Sequence, residues 1–199
     1  MRKLVCGILL MGLSATHAFA VLAEQIVAVV NGQLLFHTDI LRNQTFFEEG
    51  PDVENLVNYK LLLLEAKQFV LSPPQEDAVD LSLKALQKKF QDAHAFENAL
   101  KETGFTLEDL RREILDRLWV KQLLQDRITF FIFITDEEVG QYYQQRQSDF
   151  AQKTLEEVEE SIRAILEKEK EETRIKEYLA RIKSQANIEI SGAGRSNVR

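Results

Sequence analysis

At 199 residues the chain is long enough for one sizeable domain or a small bipartite one. Its formal net charge of −7 argues against nucleic acid and anionic membrane surfaces as partners. Cys6 is the single cysteine, so the chain closes no disulfide of its own and, without its first residues, has no thiol chemistry.

Residues 1–20 have the layout of an export signal. Arg2 and Lys3 form a positive start, "LVCGILLMGL" an apolar run, and Ala18-Phe19-Ala20 a small-residue cleavage site. The alternatives are cleavage after Ala23 and retention as an anchor; Ser14, Thr16 and His17 interrupt the run and weigh against the anchor. Cys6 lies too early for lipid attachment. The expected product is exported and soluble, free of Cys, and more acidic than the whole chain.

"VAVVNGQLLFHTDI", Val27 to Ile40, comes next. Alternating apolar residues flank Asn31-Gly32, the pair that supplies φ > 0 at both centres of a two-residue hairpin turn. Two strands alone are marginal in water, so this pair needs a third strand or a helix to lie on. Thr38 is placed to cap a short helix through "DILRNQTFFEE" that stops at Gly50-Pro51. A second helix runs through "VENLVNYKLLLLEAKQF" until Pro73-Pro74 forbids continuation.

The segment "QEDAVDLSLKALQKKFQDAHAFENALKETG" predicts two helices with a break near Asp92 and an end at Gly104. Thr106 then opens "TLEDLRREILDRLWVKQLLQDRI", with Asp109 in the capping-box position and Leu107, Leu110, Ile114 and Leu118 at helical spacing. "TFFIFI", Thr129 to Ile134, suits a short extended connector. Further capping boxes open at Thr135 and Thr154.

The last helix is expected to reach about Ala186, some 30 residues or roughly 45 Å. Its apolar stripe breaks at "EKEKEETR", which predicts a helix crossing solvent between two packing sites, supported by pairs such as Glu159 with Arg163 and Glu172 with Lys176. "ANIEI" reads as a strand and "SGAGRSNVR" as a loose tail. Returned by the long helix, Ile188 to Ile190 would supply the hairpin's third strand.

Little in this inventory suggests catalysis. His37 and His94 lack metal-ligand clustering, and the carboxylates of "EDLRREILD" and "EEVEESI" read as solvated helix faces. Phosphate-binding and nucleophile-elbow motifs do not occur. No cofactor or metal is expected.

The order of "VAVVNGQLLFHTDI", "LVNYKLLLLEAKQF", "FTLEDLRREILDRLWVKQLLQDRITF" and "ITDEEVGQYYQQRQSDF" resembles the SurA-like exported chaperones, including PrsA, PpiD and similar foldases. The resemblance covers about residues 26 to 150, with a weaker match of the last helix and strand. It implies a mainly α fold: a SurA-like helical chaperone domain over 24–150, with a small antiparallel sheet, completed by the helix and closing strand of 151–190, before a flexible tail, 191–199. In such relatives the tyrosine-rich helix leads into a parvulin-type prolyl isomerase domain. Here Phe150 is followed by "AQKTLEEVEESI", so no isomerase activity is expected.

The resemblance implies an ATP-independent periplasmic chaperone holding nascent or unfolded exported and outer-membrane proteins in an apolar, aromatic cleft. The client-binding candidates are Phe46, Phe47, Tyr59, Phe90, Phe96, Trp119, Phe130, Phe131, Phe133, Tyr142 and Tyr143. Adjacent rings on a helix point about 100° apart, so one member of each pair is hard to bury in the same core and would line a cleft between the helical lobe and the long last helix. The competing reading is that most of these rings pack between helices. The acidic balance would favour basic client segments. A dedicated assembly factor or structural partner for one exported protein is the alternative, a prolyl isomerase the less favoured one, and monomer and domain-swapped homodimer both stay open.

Overall fold

Asn31 and Gly32 sit at φ 48° and 80°, the left-handed pair that a tight turn between twisted strands requires. The turn joins β1 (Ile26–Val30) to β2 (Gln33–Phe36). A bulge between Ile26 and Ala28 lets Val27 and Ala28, consecutive residues, both face the interior. In this computed structural model residues 24–191 are described, apart from 49, 51, 71, 151 and 152. The expected signal segment and the tail beyond Ser191 lie outside the described residues.

The hairpin's third strand is β3 (Ile188–Ile190), antiparallel to β1 in the order β2-β1-β3. Asn31 fixes the closure, donating its backbone N–H to the Asn187 carbonyl at 2.8 Å while its side-chain oxygen accepts the Asn187 N–H at 2.9 Å. Ile188 and Ile190 face the core, half-buried, and Glu189 faces out.

Among the described residues seven α-helices follow the hairpin: α1 (His37–Phe47), α2 (Val53–Phe69), α3 (Glu76–Gln87), α4 (Ala93–Thr103), α5 (Leu107–Arg127), α6 (Asp136–Gln145) and α7 (Leu155–Gln185). Most of their ends obey local chemistry. The Asp52 and Asp92 carboxylates accept the backbone N–H groups of Asn55 and Ala95, and Gly104 closes α4 at φ 65°. The Thr106–Asp109, Thr135–Glu138 and Thr154–Glu157 boxes all form.

Three local expectations are corrected. Thr38 is not the cap: α1 starts at His37 because the Asp39 carboxylate accepts the Phe36 N–H at 2.9 Å, and the Thr38 hydroxyl donates to Glu24 at 2.7 Å. The 129–134 connector is not extended throughout. With no neighbouring strand to pair with, Thr129–Phe131 winds into a 3-10 turn, in which Phe131 and Ile132 donate to the carbonyls of Ile128 and Thr129 at 3.0 and 3.1 Å. Glu172 pairs with Lys168 at 3.9 Å rather than with Lys176.

Three apolar clusters result among the described residues. The first lies under the sheet and takes α2, the C-terminal half of α5 (Val120, Leu123) and the end of α7 (Tyr178, Leu179, Ile182). The second gathers α1, α3 and α4 on the N-terminal half of α5 (Leu110, Ile114). The third joins Val139 of α6 to Val158 and Ile162 of α7. α5 and α7 each take part in two clusters, which makes them the beams of the molecule.

Between its two apolar ends α7 is not simply bathed in solvent. Glu171 accepts from the Thr129 hydroxyl at 2.6 Å, Lys170 donates to the Phe133 carbonyl at 2.8 Å, and Arg163 donates to the Ile134 carbonyl at 3.0 Å. The polar stretch of α7 thus holds the aromatic connector in place.

Candidate functional site

An open cleft of about 830 Å³ separates the helical lobe from the middle of α7. Tyr59 and Leu62 of α2 form one wall, Val120, Lys121 and Leu124 of α5 the floor, and Thr129 with Glu171 the far side. Arg117 and Lys121 also line a second hollow of about 380 Å³, where Phe47 of α1 and Leu86 of α3 face Leu118 of α5. Sharing these two residues, the hollows make one groove along α5.

Under the groove lies a polar network that the helix faces alone do not announce. The Arg117 guanidinium stacks over the Phe47 ring at 3.6 Å and the Tyr59 ring at 4.6 Å, donates to the Asn43 side-chain oxygen at 2.9 Å, and pairs with Glu113 at 3.3 Å. Burial raises the Glu113 carboxyl above its ordinary range, opposed by the charge of Arg117 and the Tyr59 hydroxyl. Burial, more than the neighbouring Glu113 carboxylate, pushes the Tyr59 hydroxyl up as well. The reading of "EDLRREILD" as a solvated face is therefore corrected at Glu113. Its i, i+4 partner Arg117 draws it inward because both close the gap between α1, α2 and α5.

Next to the cleft the connector carries the most exposed rings of the described residues. Phe130, Phe131 and Phe133 keep 73%, 65% and 72% of their surface in water. Phe130 and Phe131 contact edge to face with centroids 5.4 Å apart. Phe131 and Phe133 line a hollow of about 620 Å³ against α7, walled by Glu169, Lys170, Arg174 and Glu177.

The remaining candidates divide by environment. Phe46 and Phe96 are core residues, 1% and 7% exposed, so they offer little surface, although Phe46 backs the second hollow. With half-buried Phe90 and Phe105 they form an aromatic cluster, Phe46 lying 5.9 Å from Phe90 and 5.8 Å from Phe105. Phe47, the neighbour that the same core cannot hold, turns to the groove. Trp119 packs half-buried on the first cluster. Tyr142 and Tyr143 pack on the third, where Tyr143 stacks on Phe150 at 5.8 Å and donates to the Lys153 carbonyl at 2.7 Å. Of the eleven, the structure thus brings Phe47 and Tyr59 together at the groove and leaves the three connector rings open.

Sequence reasoning passed over Arg117, Lys121 and Glu113. The available signal was their spacing, which places all three on one face of the α5 helix.

Comparison with known proteins finds distant homology to foldase proteins named PrsA. The chain is 29% identical over 105 residues to the one from Clostridium botulinum strain Hall, an alignment covering 51% of this chain and 31% of the relative. Against the C. botulinum strain 657 protein the identity is 24% over 161 residues, 66% of this chain and 48% of the relative. The Clostridium perfringens protein shares 30% identity over 104 residues, 51% of this chain and 30% of the relative. The chain thus spans about a third to a half of the length of these curated relatives. No family model matches the chain. Among the described residues no helix is long and apolar enough to cross a membrane.

Proposed function

We propose that this protein is an ATP-independent holding chaperone of the periplasm, which binds unfolded exported and outer-membrane proteins without catalysing prolyl isomerisation. The observation that carries this reading is the connector that keeps Phe130, Phe131 and Phe133 at 65–73% exposure beside an open cleft. Large apolar rings gathered in water are costly to solubility and characteristically mark an interaction surface. Apolar contact gives affinity without reading a sequence, which suits many clients and needs no nucleotide. The foldase names of the distant relatives support the same class of activity.

The test is a light-scattering assay with two unrelated denatured clients, one a β-barrel outer-membrane protein. The protein suppresses aggregation of both at near-stoichiometric ratios, and the Phe130→Ser/Phe131→Ser/Phe133→Ser variant loses most of that activity while keeping its melting profile. Protection of a single client would instead identify a dedicated assembly factor. X-Pro isomerisation in a peptide stays on its uncatalysed timescale of tens of seconds or longer. Acceleration would make the protein an isomerase.

A further inference from the structure

The overall charge of the chain, −7, suggests affinity for basic segments, yet the groove along α5 carries at its centre a lysine with no ion-pair partner among the described residues. Lys121 and Arg117 lie in both of its hollows and Lys89 borders the second, whereas among the described residues Glu171 is the one carboxylate lining either. These charges are not equally available. Arg117 is held by Glu113, Asn43 and two rings, and Lys89 is paired with Glu48 at 2.7 Å. Glu171 already accepts from Thr129. Lys121 is exposed, at the junction of the two hollows, and has no ion-pair partner among the described residues. Apolar side chains flank it on both sides, Leu118 and Leu86 in one hollow and Leu124 and Leu62 in the other.

We propose that the α5 groove selects extended apolar segments that carry an aspartate or glutamate, with that carboxylate paired to Lys121 and an apolar side chain seated in the hollow on each side. Leu118 and Leu124 are six residues apart on one helix, about 9 Å along its axis. Successive side chains of an extended chain point to opposite faces, so the apolar, acidic and apolar residues that face the groove are alternate residues of a short segment. The pairing is charge complementarity added to apolar contact, so it sets preference among clients rather than the ability to bind. This inference rests on the holding function proposed above and names the chemistry its groove favours.

Fluorescence anisotropy with three labelled peptides tests it. They share one apolar frame and differ at a central Asp, Asn or Lys. The wild-type protein binds the Asp peptide about three- to tenfold tighter than the Asn peptide, and the Lys peptide weakest. Lys121→Glu, an exposed substitution, inverts the order of the Asp and Lys peptides. Lys101→Glu on exposed α4 makes the same change in net charge away from the groove and leaves the order as in wild type. Equal binding of the three peptides, a wild-type preference for Lys, or equal shifts in the two variants overturns the inference. If aggregation is still suppressed in that event, the holding function stands and only the selectivity falls. Absence of binding to all three peptides also overturns it, and joined to absence of aggregation suppression it takes the holding function with it.

Discussion

Arg117 concentrates the molecule's residue-level physics. It neutralises a mostly buried Glu113, stacks on two rings and anchors Asn43, so three helices depend on one guanidinium. Arg117→Ala leaves that carboxylate buried beside no cation and is expected to destabilise the fold by about 3 kcal/mol at neutral pH. Urea unfolding measures this, and the loss shrinks in acid, where Glu113 is protonated. Glu113 titrates with a definite sign. Its folded-state pKa lies above the ordinary 4.5, so between those two values the native state binds more protons than the unfolded chain. Its contribution to stability is present at low pH and declines as pH rises through the raised pKa. The stability of wild type relative to Glu113→Gln therefore falls as pH rises above about 4.5, measured as the difference of two unfolding curves. A difference that stays flat or climbs would mean that the Arg117 pair outweighs burial. At the hairpin tip Gly32 has open space around a Cβ but sits at φ 80°, so Gly32→Val costs about 1–2 kcal/mol through backbone strain alone.

Among the elements β3 closes the sheet. It covers the free edge of β1, pins the hairpin turn through Asn187, and half-buries Ile188 and Ile190. Deleting residues 187–199 is expected to lower the melting temperature by several degrees, since two half-buried isoleucines contribute about 1 kcal/mol each and a strand edge is uncovered. Truncation after Ser191 keeps every one of these contacts and is the control. Equal melts for the two truncations would show that the third strand contributes nothing. This closure was legible in the sequence because Asn31-Gly32 and the "ANIEI" alternation are local signals, and so were the helices, whose caps at Asp52, Asp92, Thr106, Thr135 and Thr154 follow from side chains within four residues. A cleft between the helical lobe and the last helix was legible from rings left over by the core, but the polar network under it was not. Asn43, Tyr59 and Arg117 meet only after three helices have packed, and no periodicity carries a contact between residues 74 apart. The connector shows the same limit from the other side: "TFFIFI" reads as apolar chain in want of a core, and tertiary packing leaves three of its rings in water.

Across the whole molecule α7 does two jobs at once, tying α6 to its start and the sheet to its end while its charged middle holds the aromatic connector. Lys170→Ala removes both the bond to the Phe133 carbonyl and the 2.6 Å pair with Glu138, and is expected to speed amide exchange in residues 129–134 with little change in global stability. Global destabilisation instead would mark Lys170 as part of the core framework. The central claim is that unfolded chains bind at the connector and the adjoining cleft. Its most direct test is site-specific photo-crosslinking to a denatured client, with the photoreactive side chain at Phe131, at half-buried Leu124 or at Leu81, the last an apolar position on α3 as exposed as Phe131 that lines none of the hollows described above. Strong crosslinks from Phe131 and Leu124 with little from Leu81 are the expected result, and equal yields from all three, or crosslinking confined to Leu81, would contradict the account.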